Sequence, residues 1–229
     1  MPREEYKSKY SLGGGGVIVF SDPANYPSQV EGDPKWKTVV GIHLTHAGGF
    51  NHQQLGELVD LLTASPNAQA LGEVGLDRTT PSHTWGRQEE VLQKVLKIPS
   101  TDQKSSCFTC LGTEMIRMDR MCKVTHLHSF TGEAANVNAW FADFLQAYFS
   151  VNTMVEGFDR GQREGLRSVS KNRLLLETDA PHLSPGGEDI NTPHRTEDVA
   201  VLVARARGTS LEEVLYCSTS NARAIYRIP

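Results

Sequence analysis

Apolar residues come along this chain in short blocks that end on polar or turn-forming residues. "GVIVFSDP" (16–23), "KTVVGIHL" (37–44) and "AQALGEVGLD" (68–77) all have this form. Apolar runs of that length, bounded by turn signals, predict strands buried on both faces. Between them the spacing becomes helical. Leu55, Leu58, Val59 and Leu62 share one face of 51–65, and Trp85, Val91, Leu92, Val95 and Leu96 one face of 82–98. The segment 26–36 reads as a short helix or a loop. "CFTCL" (107–111) predicts a short strand, 122–132 a strand and turn, 133–145 a helix, 146–154 a strand and 156–169 a polar helix. "RLLLETDAP" (173–181) is the last strand. A helix over 195–208 is ended by Gly208, and another over 209–228 opens with the capping pattern Ser210-x-x-Glu213, with Thr209 as an alternative cap.

Strand and helix therefore alternate almost throughout, which predicts a parallel sheet with crossover helices, an α/β fold. Several strands end in Asp, Glu or His. That suits the C-terminal face of a (β/α) barrel of the TIM type, where active sites sit.

Composition narrows the picture. The chain has 229 residues with 38% hydrophobic and 22% charged content, a globular balance with room for one large domain or two small ones. Residues 1–14 are expected to form a poorly ordered lead and 15–229 a single domain. The net charge of −4 argues against a basic coat for gripping nucleic acid, although it leaves room for a local basic groove. No apolar run approaches the roughly 20 residues of a membrane span, and the opening residues lack the apolar core of a signal peptide. Four scattered cysteines make no disulfide scaffold, so a reducing interior, cytoplasmic or nuclear, is expected.

The candidate chemistry lies at three strand ends. Glu73 closes "ALGE", His128 closes "VTHLH", and Asp179 closes "LLLETD". In a barrel all three point into one pocket, and their oxygens and nitrogen suit a divalent ion. The alternative is that each is a hydrogen-bonded strand terminus. His126 shares a strand face with His128 and reads as a pocket or core histidine, with an added ligand as the other option. Arg160, Arg163 and Arg167 read as a solvated helix face, and Trp140, Phe141 and Phe144 as core.

Taken in order, "ALGEVGLD", "WGRQEEVL", "HSFTG", "LLLETDAPHLSP" and "SLEEV…TSNARAIY" resemble the motifs of the TatD family of metal-dependent deoxyribonucleases, over roughly residues 16 to 228. The family belongs to the amidohydrolase-like TIM barrels. The resemblance implies hydrolysis of phosphodiester bonds in DNA with divalent Mg, Mn or Zn. Carried over, Glu73 matches the metal-bridging glutamate, His128 the histidine of the "H-C-F-x-G" turn, and Asp179 the metal-binding and proton-handling aspartate. Glu177 is expected to orient neighbours. Asp77, Gln88 and His43 match pocket positions. Asn191 and Pro193 echo an "N-x-P" loop, and Arg195 is placed to meet a phosphate.

The chain also departs from that pattern. The family's opening strand ends H-x-H, and nothing before Val17 supplies it, so the sequence is expected to start after the first barrel strand. A middle strand ending H-x-R is replaced by "SSCFTCLG", a degraded strand in which Cys110 is an alternative ligand. An incomplete barrel is expected, holding one metal rather than two on Glu73, His128 and Asp179. Two readings stay open: a TatD-type hydrolase acting on DNA, or a catalytically silent barrel that serves as a binding module or arises from truncation.

Overall fold

A computed structural model describes residues 15–30, 33–65, 67–77, 80–98, 105–111 (backbone path and pairing), 124–184 and 190–229. The expected lead at 1–14 and Cys122 lie outside the described residues.

Seven strands form one sheet in chain order, every neighbouring pair parallel. They are β1 (Gly16–Phe20), β2 (Trp36–Val40), β3 (Ala68–Asp77), β4 (Ser105–Leu111), β5 (Thr125–His128), β6 (Ala147–Val151) and β7 (Leu174–Leu176). The helices are α1 (His52–Ala64), α2 (Trp85–Leu96), α3 (Ala134–Asp143), α4 (Arg160–Ser168), α5 (Thr196–Arg207) and α6 (Leu211–Tyr226). Among the described residues, β1 and β7 are sheet edges, so the sheet holds one strand fewer than the eight of a full barrel.

Local chemistry explains most boundaries. Asn51 and Gln54 form a reciprocal capping box at α1, and Asp159 with Gln162 does the same at α4. Gly208 ends α5 at φ +70°, a left-handed cap that a side chain would strain. The Ser210 side chain accepts from the Glu213 N–H at the start of α6. Of the two readings of 26–36, the described residues support the loop: 26–30 and 33–35 carry no helix after the one-turn Pro23–Asn25 helix, and Trp36 opens β2. The middle strand expected to be degraded forms fully: β4 pairs with β3 along six positions and with β5 along four. Loss of ligand-type residues does not prevent ladder formation, since the backbone makes the ladder.

The main core lies between sheet and helices, from Val40, Leu71, Val74 and Leu76 to Phe149, Leu166 and Val203. A smaller cluster fills the inside of the sheet. It joins Val39, Ala70, Tyr148 and Leu175 to Ile225 and Tyr226 of α6, with Val17 of β1 and Val124 just before β5 packed against it. The last turn of α6 therefore plugs the N-terminal end of the strands and leaves the C-terminal ends to carry polar groups.

Strands β2 and β3 approach unusually closely at Gly41. A Cβ there would lie 2.2 Å from the Gly72 carbonyl carbon and 2.6 Å from the Glu73 oxygen, both backbone atoms that cannot swing aside. Gly41→Ala is expected to cost about 1–3 kcal/mol and to displace Glu73. Gly56→Ala in α1, where nothing lies within 4 Å, is the matched control. Thermal melting compares the two, and an unshifted Gly41→Ala would contradict the crowding.

Candidate active site

His128 at the end of β5, Glu177 and Asp179 just past β7, and Glu73 of β3 meet in one hydrogen-bonded cluster. Glu73 is not the strand end expected from sequence but the sixth of ten residues, because β3 runs on to Asp77. The register sets this up. His128 is the last residue of β5, and the "ETD" segment continues β7 past its final ladder position, with the Glu177 N–H still bonded to the Val151 carbonyl. His128 Nε2 lies 3.1 Å from Glu73 Oε1 and 3.4 Å from Asp179 Oδ1. Its Nδ1 lies 2.6 Å from Glu177 Oε2. Burial pulls the His128 imidazole down, but the carboxylates of Glu177, Asp179 and Glu73 overcome it and hold the ring protonated well above its ordinary value. Burial pushes Glu177 up, and His128 outweighs that, leaving the carboxylate below its usual range.

Glu177 sits behind the histidine. It accepts from the Ser129 N–H at 2.7 Å, from Asn152 Nδ2 at 3.3 Å and from the Ser150 hydroxyl. Four donors on one buried carboxylate fix its position, and through it the ring of His128. Asp179 is the more open partner, with its side chain 31% exposed against 12% for Glu177. Its φ of +56° is left-handed, as is that of Ser129 at +53°. Such backbone costs about 1 kcal/mol or more for a non-glycine residue and collects at functional sites. From β1, the Ser21 hydroxyl donates to Glu73 Oε2 at 3.3 Å.

Two carboxylate oxygens and an imidazole nitrogen are donors that suit a divalent ion. Ligands about 2.0–2.2 Å from a common ion lie roughly 2.8–3.6 Å from each other across octahedral and tetrahedral geometries, and the two separations at His128 Nε2 fall within that span. Yet among the described residues no three His, Cys, Asp or Glu groups are already arranged around one point as a metal cage. The residue types and spacings fit an ion.

The other sequence candidates divide. His43 reaches the cluster electrostatically: burial lowers its pKa, and the charge of Glu73 opposes that. Its ring nitrogen also caps the turn at Thr45. Gln88 and Asp77 hold a loop together. Gln88 Oε1 accepts the Asp77 N–H at 2.8 Å, and its amide donates to Thr80. Asn191 pins the segment after Asp179 by donating to the carbonyls of Thr178, His182 and Leu183. Arg195 binds Asp198 of its own helix at 3.1 Å. Arg163 and Arg167 donate to the carbonyls of Phe158 and Ala206, and Arg160 pairs with Glu164 on the surface. Trp140 and Phe144 are buried in the main core. Thr109, rather than Cys110, stands beside His128 in register, while Cys110 pairs with Leu76.

His126 is placed away from the mouth. It is buried, and its Nδ1 meets the Tyr226 hydroxyl of the plugging helix. Burial drops its pKa to about 4, with Glu177 opposing and His128 assisting. The unfolded chain takes up this proton near pH 6.5 and the folded one only near 4, so stability falls as pH drops through that window. The loss is expected to reach about 3 kcal/mol, and His126→Gln should flatten this part of the melting-temperature profile. A slope unchanged by the substitution would contradict it.

Sequence reading missed Ser129, Ser150 and Asn152, which with His128 donate to Glu177. The available signal was two polar residues in the otherwise apolar "AYFSVN", where Ser150 and Asn152 are almost wholly buried. Buried polar groups are there because something bonds them.

Residues 28–227 match the sequence profile of a family described as TatD related DNase. The chain is 26% identical over 200 residues to the putative deoxyribonuclease tatdn3-B of Xenopus laevis, covering 82% of this chain and 71% of that one. It is 28% identical over 228 residues to a 3'-5' ssDNA/RNA exonuclease TatD of Edwardsiella piscicida, covering 92% and 85%. The crystal structure of the TatD homologue YjjV from Escherichia coli K12 superposes with a TM-score of 0.79 at 17% identity, over 94% of this chain and 87% of that one. At that identity the superposition establishes a shared fold. No helix among the described residues is long and apolar enough to cross a membrane.

Proposed function

The chain belongs to the TatD related DNase family, and on that premise we propose that it is a metal-dependent hydrolase of phosphodiester bonds in DNA, with its site on Glu73, His128 and Asp179. The observation that carries the reading is the convergence of the Glu73 and Asp179 carboxylates on His128 Nε2 at donor-to-donor distances suited to one ion. Relatives bear the words deoxyribonuclease, exonuclease and metal-dependent hydrolase in their names. A divalent Mg, Mn or Zn ion bound there supplies an activated water and neutralises charge on the phosphoryl oxygens. Glu73, His128 and Asp179 would hold it, His128 through a neutral Nε2. Glu177 accepts the Nδ1 hydrogen and so keeps Nε2 facing the pocket, as carboxylate partners of metal-ligating histidines do. Asp179, the open member, takes a proton from the attacking water. One ion is expected rather than two, because the described residues offer three such donors.

The second reading, a silent barrel, is favoured by the absence of a preset cage among the described residues. One experiment separates them. Purified protein is stripped with chelator, then given Mn, Mg or Zn, with cleavage of a single-stranded oligodeoxynucleotide and melting temperature both followed. The hydrolase reading expects metal-dependent cleavage and a stabilisation of about 2.7 kcal/mol at a hundredfold excess over Kd. No cleavage with any metal and an unmoved melting temperature would leave the silent barrel.

A further inference from the structure

Three of the exposed large apolar side chains lie on the tied loops that follow β6 and β7 and carry the site. Met154 (46% exposed), Leu183 (37%) and Ile190 (45%) follow β6 and β7. Met154 Sδ lies 3.9 Å from the hydroxyl of Ser129, the residue after His128. The two loops are tied, because the Thr153 hydroxyl donates to the Leu183 carbonyl at 2.9 Å. Asn191, next to Ile190, donates to the same carbonyl at 3.2 Å. Leu183 stands four residues beyond Asp179 with a φ of +53°, a conformation that costs energy and keeps an oily side chain in water. An exposed apolar surface of this kind, held in place beside polar chemistry, marks a contact for an apolar ligand part.

We propose that Met154, Leu183 and Ile190 form an apolar shelf that seats the nucleobase next to the bond being cut. This inference rests on the phosphodiesterase reading, which puts the phosphate at Glu73, His128 and Asp179. A nucleotide joined at that phosphate carries a flat, weakly polar base on its sugar, and the shelf is the apolar surface beside the site. Aliphatic side chains contact a base face without reading its edge, so the shelf accepts any base and requires it to be unstacked from a partner strand. The selectivity that follows is for single strands, with little preference for sequence.

The test uses the full chain with Mn and two substrates of equal length, oligothymidylate and a chain of abasic tetrahydrofuran residues. The wild-type protein is expected to show KM about 5- to 10-fold lower for oligothymidylate, with similar kcat. The double variant Met154→Ala with Leu183→Asn should raise KM for oligothymidylate to the abasic value and leave kcat and the melting temperature unchanged. Asparagine tolerates the left-handed backbone at 183, so the fold is preserved. Equal KM for both substrates in the wild type, or a full difference surviving in the double variant, would overturn the shelf while leaving the hydrolase reading intact. Failure of the wild type to cut either substrate would remove the hydrolase reading and the shelf together.

Discussion

Asp179→Asn is expected to lower kcat for phosphodiester cleavage about 10³-fold while the protein stays folded. Asparagine keeps an oxygen that can face an ion, and it tolerates the left-handed backbone at φ +56°. It cannot take a proton from water. The side chain is partly open and its contact to His128 is the longest in the cluster, at 3.4 Å. Loss of that contact costs little, and the melting temperature of metal-free protein should move by no more than a few degrees. Substrate KM should change little, because the missing interaction develops in the transition state. A variant retaining a tenth of wild-type kcat would show that the proton goes elsewhere.

The second large effect is expected at Glu177, and it is of another kind. Glu177→Gln replaces a buried acceptor of four hydrogen bonds by a group that must aim an NH₂ at donors, with His128 Nδ1, the Ser129 N–H and the Ser150 and Asn152 side chains all competing for one oxygen. Breaking a buried charge pair on one side costs about 3–5 kcal/mol. For a chain of this size each kcal/mol is worth about 2–4 °C, so a fall of about 6–20 °C in melting temperature is expected. Metal affinity should drop 10- to 100-fold as the ring loses its orienting partner.

The pH dependence gives the Glu177 prediction a further check. The contribution of Glu177, whose folded pKa is depressed, is present above its ordinary 4.5 and is lost as pH falls through the lower folded value. That of His128, whose folded pKa is raised, is full below 6.5 and is lost as pH rises through the higher folded value. In metal-free protein the wild-type advantage over Glu177→Gln should therefore be greatest between about pH 5 and 6.5 and shrink on either side. An advantage flat across pH would contradict the pairing of these two residues.

Much of the architecture was legible because period and end signals are local. β3 was readable to the residue as 68–77, and the caps at Ser210 and Gly208 follow from single side chains and a single φ. The segment 26–36 left two readings open, since its scattered apolar residues Val30 and Trp36 stand in a loop and at a strand start rather than on a helix face. At the site, Glu73, His128 and Asp179 could be named because each is a costly polar group at the end of an apolar run. The roles of Gln88 and Asn191 could not be read, because holding a loop carbonyl or N–H leaves no trace in spacing.

By itself the sequence determined a parallel α/β sheet, the strands that carry polar ends, and kinship with a family of metal-dependent hydrolases. The motif named His128, but only the tertiary structure decided between the readings left open for His126, the other histidine of that strand. His126 and His128 share a face two residues apart. The rise of β5 puts one against the Tyr226 plug and the other among three carboxylates. Depth along a strand, set by what α6 and the neighbouring strands bring alongside, gives identical side chains opposite electrostatic surroundings, and nothing in the local pattern of residues encodes it.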